Sequence, residues 1–185
     1  MALTYSEMIP LGKSAPKFSL KGIDGKTYTL EDFKGKKALA ILFLCNHCPY
    51  VQATQDRIAK LARELAPKQI QFIGICSNDS DEYPEDAPEN LREQAKEAGF
   101  EFPYLIDDSQ DVAKAYGAVC TPDIFAFDGN FKLRYRGRID DSWKDPAKVT
   151  RQDLRDALLA IAAGREPSAD QLPAMGCSIK WRLTA

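Results

Sequence analysis

The run Ala38-Leu39-Ala40-Ile41-Leu42-Phe43-Leu44 is apolar without a break, and Cys45 and Cys48 follow it directly. A run of that length reads as a strand buried on both faces. Pro49 comes next, and its fixed φ suits the first turn of a helix. Ile58, Leu61 and Leu65 then recur at helical spacing. Cys45-Asn46-His47-Cys48 is therefore placed where a central strand feeds a helix. Unpaired N–H groups and the positive end of the helix dipole gather at such a junction. A thiolate there is stabilised and more reactive at neutral pH, and two sulfurs so close in sequence can close and reopen a disulfide.

The rest of the chain fits around that junction. Phe18-Ser19-Leu20 and Thr27-Tyr28-Thr29-Leu30, joined by Gly22-Ile23-Asp24-Gly25-Lys26, read as an N-terminal hairpin. Leu30-Glu31-Asp32-Phe33 reads as one helical turn before Gly35. The buried strand runs over about residues 38–44, and the first long helix over about 49–66, ended by Pro67. Ile70-Gln71-Phe72-Ile73-Gly74-Ile75-Cys76 is a second apolar strand, and strand, helix and strand make a parallel unit. Residues 78–90 are acidic, with Pro84 and Pro88. We read them as a surface loop that caps the helix over about 88–98, in preference to a Ca²⁺ or partner site, because the spacing misses the EF-hand pattern. Gly99 and Gly117 are natural helix stops. A short strand at 103–106 and a short helix through Val112, Ala113 and Tyr116 follow. A strand at 124–127 turns at Asp128-Gly129-Asn130 into a return strand at 133–136. The last helix has Thr150 as cap, Leu154, Leu158 and Ile161 facing inward, and Gly164 as stop. Residues 1–16 carry little pattern, and 164–185 read as an irregular tail.

At 185 residues the chain reads as one domain, with a core over about 15–163 and a tail over 164–185. A net charge of -2 argues against a nucleic-acid or anionic-membrane surface. No stretch approaches the roughly 20 apolar residues of a membrane helix. The first residues lack the basic-then-apolar order of a secretion signal, so the expected compartment is the cytoplasm. Five cysteines, an odd number, fit redox chemistry better than a structural disulfide framework.

A C-x-x-C at a strand–helix junction, followed by Thr121-Pro122 before an antiparallel hairpin and a last helix, resembles the thioredoxin fold. Phe43-Leu44-Cys45-Asn46-His47-Cys48-Pro49-Tyr50-Val51, Ser77-Asn78-Asp79, Tyr83-Pro84-Glu85-Asp86, Cys120-Thr121-Pro122-Asp123 and Tyr135-Arg136-Gly137-Arg138-Ile139-Asp140-Asp141 together resemble the peroxiredoxin-like subgroup of the alkyl hydroperoxide reductase/thiol-specific antioxidant superfamily. The resemblance implies an α/β fold: a thioredoxin-like central mixed sheet flanked by helices, with an N-terminal β-hairpin and an irregular C-terminal tail. It also implies that the Thr121–Pro122 bond is cis, faces the active sulfurs and takes part in substrate binding. Two departures bear on mechanism. Leu44 and Asn46-His47 replace the thioredoxin Trp and Gly-Pro. Aligned to the peroxiredoxin Thr-x-x-Cys, Cys45 stands at the Thr and Cys48 at the peroxidatic cysteine. The arginine that helps activate peroxide there would fall near Pro122, where this chain has none.

The first functional reading is a thiol–disulfide oxidoreductase. Cys45, as the outer sulfur of the helix terminus, attacks a protein or small-molecule disulfide, and Cys48 resolves the mixed disulfide. No cofactor is implied, and electrons come from a thioredoxin-type reductase or a small thiol. The second reading is a thiol peroxidase acting on a hydroperoxide. The third is a non-enzymatic redox-sensing or binding module. Zinc needs two more ligands near the pair, and Cys76, Cys120, Cys177 and the lone His47 are scattered, so we assign no metal. His47 reads equally as a modulator of the thiolate and as an exposed side chain. Cys120 and Cys177 read first as buried small residues and second as further redox thiols. Glu31, Asp32, Asp140 and Asp141 are the carboxylates considered for the Cys48 proton. Arg136-Gly137-Arg138 with Trp143 reads as a solvated loop.

Overall fold

The computed structural model describes residues 3–183. Ten strands are present among them: β1 (Leu3–Tyr5), β2 (Ser19–Gly22), β3 (Thr27–Thr29), β4 (Ala38–Phe43), β5 (Ile70–Cys76), β6 (Tyr104–Ile106), β7 (Cys120–Thr121), β8 (Asp123–Asp128), β9 (Leu133–Arg136) and β10 (Met175–Ser178). The helices are α1 (Pro49–Gln52), α2 (Gln55–Leu65), α3 (Pro88–Ala98), α4 (Asp111–Tyr116) and α5 (Asp153–Ala162). The main sheet has the order β3-β2-β6-β5-β4-β8-β9. β4 lies at its heart, parallel to β5 from Ala38↔Ile70 to Phe43↔Ile75 and antiparallel to β8 from Ala38↔Asp128 to Phe43↔Asp123.

Alternate β4 side chains enter two cores. Ala38, Ala40 and Leu42 pack with Ile58, Leu61 and Leu65 of α2, Leu91 of α3, and Leu154, Leu158 and Ile161 of α5. Leu39, Ile41 and Phe43 pack on the other face with Ile73, Ile75, Phe125, Phe127 and Tyr116. Phe43, Tyr116 and Phe125 meet at centroid distances of 5.6–5.8 Å, in tilted or edge-on geometry. Burying each large apolar side chain contributes about 1.5–3 kcal/mol relative to leaving it in water. The β4 end is thus a rigid platform for the residues that follow it. The unbroken apolar run is explained by this two-faced burial, and the central mixed sheet with an N-terminal hairpin (β2–β3) is as expected.

Four segments differ from the sequence reading. The helix expected over 49–66 is interrupted at Ala53 and Thr54. The Thr54 hydroxyl donates back to the carbonyls of Tyr50 (2.7 Å) and Val51 (3.2 Å), a local bond that competes with the helical ladder. Thr150 does not cap the last helix. It bonds Asp141 instead, and α5 begins at Asp153 after Gln152. The near-patternless N-terminus supplies β1. The tail is irregular only as far as Ala174, and β10 begins at Met175. β10 is the middle strand of a second, antiparallel sheet of order β1-β10-β7. Its register is Leu3↔Cys177 on one side and Cys177↔Thr121 on the other. Among the described residues, no helix is long and apolar enough to cross a membrane.

Candidate active site

β4 delivers Leu44, whose N–H donates to the Ile75 carbonyl at 2.8 Å, and the chain then leaves the sheet. Cys48 is the N-cap of α1, with Pro49 at the first helical position. The intervening loop is held by a residue that the sequence reading had put in a surface loop. Asp86 is 2% exposed and lies under the motif. It accepts from the Asn46 N–H (2.7 Å), the His47 N–H (3.3 Å), the His47 Nδ1 (2.7 Å) and the Asn78 side-chain amide (2.7 Å). The Asn46 amide bonds the Glu85 carbonyl, and the His47 ring stacks on Tyr83 at 5.2 Å. The acid-rich stretch does not cap α3 as expected, since the N-cap there is Ala87 with no side-chain bond. It reaches back into the active site, and its Tyr83-Pro84-Glu85-Asp86 segment is the part that does so.

Burial pushes the Asp86 carboxyl up, but the bonds from His47, Asn78 and Asn46 outweigh it and hold its pKa below the ordinary value. The same carboxylate raises the His47 imidazole, against partial burial. Of the two readings of His47, an exposed side chain is thus excluded: its side chain is 13% exposed and its Nδ1 is engaged. Cys45 Sγ, a His47 ring nitrogen and an Asp86 oxygen lie within 4.8 Å of one another. A structural zinc site takes four ligands. Here Asp86 is already engaged by four donors, so the cluster is organised as a hydrogen-bond network.

Both motif sulfurs are buried. Cys45 Sγ lies 3.2 Å from the Thr121 hydroxyl, and Cys48 Sγ lies 3.1 Å from the Thr121 carbonyl oxygen. The Thr121–Pro122 bond is cis, and the turn abuts the sulfurs as the resemblance implied. The order of acidity is the reverse of that expected from position along the helix. Burial, the hydrogen bond to Cys48 and the charge of Asp86 push the Cys45 thiol well up. The Cys48 thiol is brought down to about 5, first by the hydrogen bond from Cys45, then by bonds from the Thr121 side chain, the Val51 N–H and Cys177, against a burial cost. The reason is geometric. Cys48 is itself the N-cap, so the free N–H groups of α1 face its sulfur, while Cys45 sits a full loop earlier against Asp86.

Cys177, read first as an inert tail residue, hydrogen-bonds Cys48, and burial followed by that contact pushes its own thiol up to about 12. Cys120 lies nearby but faces the Ser6 hydroxyl at 3.9 Å and the Pro122 carbonyl at 3.7 Å, and burial raises its thiol. Cys76 is likewise buried and raised. The four carboxylates considered for the Cys48 proton do other work. Asp32 caps the turn at Leu30 from an exposed position, and Glu31 is exposed. Asp140 pairs with Arg57, and Asp141 anchors Thr150 and Arg151. Arg136 is no loop residue. It is fully buried in β9, paired with Asp123 and stacked over Phe125 at 3.8 Å. The main-chain edge at Thr121, expected to serve substrate, is filled by β10. A cavity of ≈ 260 Å³ opens beside Pro122, lined in part by Tyr5, Tyr50, Trp143 and Met175.

A profile of the AhpC/TSA family matches residues 11–136. The chain belongs to that family. It is 27% identical over 130 residues, 70% of each chain, to the thiol-disulfide oxidoreductase ResA of Bacillus thuringiensis. A crystal structure of an uncharacterized conserved protein from Geobacillus kaustophilus superposes with a TM-score of 0.95 at 47% identity, covering 100% of this chain and 99% of that one. The thioredoxin domain of a thiol-disulfide oxidoreductase from Bacteroides vulgatus superposes with a TM-score of 0.59 at 21% identity, covering 70% of this chain and 91% of that one, which places the fold as thioredoxin-like. Membership of this AhpC/TSA group agrees with the expected class, a thiol-dependent oxidoreductase.

Proposed function

We propose that this AhpC/TSA protein is a thiol–disulfide oxidoreductase working through the Cys45/Cys48 couple, with Cys48 as the attacking thiolate. The observation that carries the reading is the place of Cys48 at the N-cap of α1, beside the Val51 N–H and the Cys45 and Cys177 sulfurs. These contacts hold its thiol below the ordinary range, while burial beside Asp86 holds the Cys45 thiol above it, so the shared proton is assigned to Cys45. The Cys48 thiolate attacks a sulfur of a protein or small-molecule disulfide. The substrate S–S bond breaks and one substrate thiolate leaves. Cys45 then gives up its proton to the departing thiolate and attacks Cys48 Sγ. The Cys45–Cys48 bond forms, the second substrate sulfur departs as a thiolate, and two electrons have passed to the substrate. Because both sulfurs are buried, an opening of the site is part of the reaction. A cytosolic thiol or thioredoxin-type reductase returns the protein to the dithiol.

A charged Cys48 at the Thr-x-x-Cys position also suits a peroxidase. Against that reading, the buried Arg136 spends its charge on Asp123 and its plane on Phe125. Stopped-flow mixing of the reduced protein with a small aromatic disulfide and, separately, with hydrogen peroxide discriminates the two. Faster reaction with the disulfide, ending in a Cys45–Cys48 bond, is the expected result. Faster reaction with peroxide, through sulfenic acid at Cys48, overturns it, and reaction with neither leaves a binding module.

A further inference from the structure

We propose that Cys177 is a third redox-active thiol, which resolves Cys48 into a second internal disulfide, Cys48–Cys177. The proposal rests on the dithiol reading above for the step that first oxidises Cys48.

Three independent features of the fold bring these sulfurs together. β10 is held on both sides, with Cys177 opposite Leu3 of β1 and opposite Thr121 of β7. Thr121 is also the residue whose carbonyl lies 3.1 Å from Cys48 Sγ, so the pairing sets Cys177 beside Cys48. The preceding residue is Gly176, and a Cβ built there would overlap the Thr121 carbonyl. β10 therefore approaches the Thr121–Pro122 turn more closely than a strand with a side chain at that position would allow. Finally, the Cys177 and Cys48 thiols are hydrogen-bonded to each other. Cys177 is 2% exposed. Its reaction partner at hand is the Cys48 sulfur of the same chain, which is itself 0% exposed. Cys120 differs here: it sits opposite Ser178, and its thiol faces Ser6 and the Pro122 carbonyl.

The chemistry is an exchange and needs no further oxidant. Once Cys45–Cys48 has formed, the Cys177 sulfur attacks Cys48 Sγ. The Cys48–Cys177 bond forms, the Cys45–Cys48 bond breaks, and Cys45 leaves as a thiolate that takes the proton Cys177 gives up. From a mixed disulfide at Cys48 the same attack expels the substrate thiolate instead. Cys177 is a poor nucleophile while Cys48 is charged, since the Cys48 bond and charge both hold its proton on. Both influences vanish when Cys48 is tied up in a disulfide, and the opening of the site that admits substrate relieves the burial that is the larger cause. Cys177 is thus a better nucleophile when there is a disulfide to attack than when Cys48 is charged.

The test uses the full chain and oxidised glutathione. Wild-type protein and Cys45→Ser are equilibrated in glutathione buffers, quenched in acid, and mapped by mass spectrometry without reduction. The expected result is a Cys48–Cys177 link in both proteins, beside Cys45–Cys48 in the wild type. In Cys45→Ser, Cys48 takes up glutathione and Cys177 expels it, so the product is free of adduct. A persistent glutathione adduct on Cys48 of Cys45→Ser, or Cys45–Cys48 alone in the wild type, overturns the role of Cys177 and leaves the dithiol reading standing. Absence of any link at Cys48 in the wild type overturns both. The wild-type map decides the matter even if the variant fails to fold.

Discussion

Asp86 is the residue on which the geometry of the C-x-x-C loop depends. It gathers two backbone N–H groups, one imidazole and one amide, all 2.7–3.3 Å away, at a side chain that is 0% exposed. Asp86→Asn keeps one acceptor oxygen but turns an NH₂ toward the Asn78 amide or the His47 N–H. Losing charge-assisted bonds of this kind costs about 2 kcal/mol. The pH dependence has a definite sign. Asp86 has a lowered folded pKa, so its contribution is present above the unfolded value, about 3.9, and fades as pH falls through the folded one. His47 has a raised folded pKa, so its contribution is full below about 6.5 and fades as pH rises through the folded value. Urea unfolding should show the largest gap between wild type and Asp86→Asn from about pH 4 to 6.5, narrowing on either side. A gap that is constant from pH 4 to 9 would mean that the pair acts through shape alone. Asp86 was hard to find in the sequence. It stands among five other acidic residues between 79 and 89 with no feature to distinguish it. The one available signal was its place in Tyr83-Pro84-Glu85-Asp86, whose two aromatic and cyclic side chains suit a packed turn better than a solvated one.

At the scale of elements, β10 is what the sequence concealed and the site requires. Met175-Gly176-Cys177-Ser178 has neither the β-branched residues nor the alternation that mark a strand. It becomes one by tertiary pairing with β1 and β7 and by the absence of a side chain at Gly176. Gly176→Ala places a methyl group against the Thr121 carbonyl, and overpacking of this sort costs about 1–3 kcal/mol. Part of that cost can be relieved if β10 retreats, so amide exchange at Cys177 and Ser178 should accelerate more than at β4. Unchanged protection at those two amides would refute the close fit. The elements that were legible are those whose own side chains decide them: β4 and β5 by continuous apolar burial, α3 and α4 by Gly99 and Gly117 in the left-handed region. The break in the first helix was not legible. Thr54 is an acceptable helix residue by propensity, and only its rotamer sends the hydroxyl back to Tyr50. Arg136 misled for a related reason. Its sequence neighbours Gly137 and Arg138 look solvated, while its charge is met by Asp123, thirteen positions earlier on the facing strand.

For the whole molecule, the thioredoxin-like architecture followed from the strand–helix junction and the later hairpin, both of which are local patterns. What the sequence order could not supply is which sulfur bears the charge, because that depends on Thr121, Asp86 and Cys177, all remote in the chain. The assignment has a consequence for global stability. A Cys48 thiolate with a folded pKa near 5, against about 8.5 unfolded, stabilises the reduced protein by about 2–3 kcal/mol at pH 7. Its folded pKa is depressed, so this contribution is complete above the unfolded value and is lost as pH falls through the folded one. The oxidised form has no thiolate to titrate. A disulfide closing so short a loop stabilises it by about 2 kcal/mol in the chain-entropy estimate, with no pH dependence over this range. The two contributions are close at pH 7, so the offset between the forms there is small, and the slope is the informative quantity. Between about pH 5 and 8, reduced protein should gain about 1.4 kcal/mol over oxidised protein for each pH unit, with the oxidised form the more stable at the acid end. Urea unfolding of both forms at half-unit intervals measures this slope. Parallel stability curves would mean that neither sulfur of the pair ionises below the ordinary thiol range, and would remove the electrostatic basis of the mechanism proposed here.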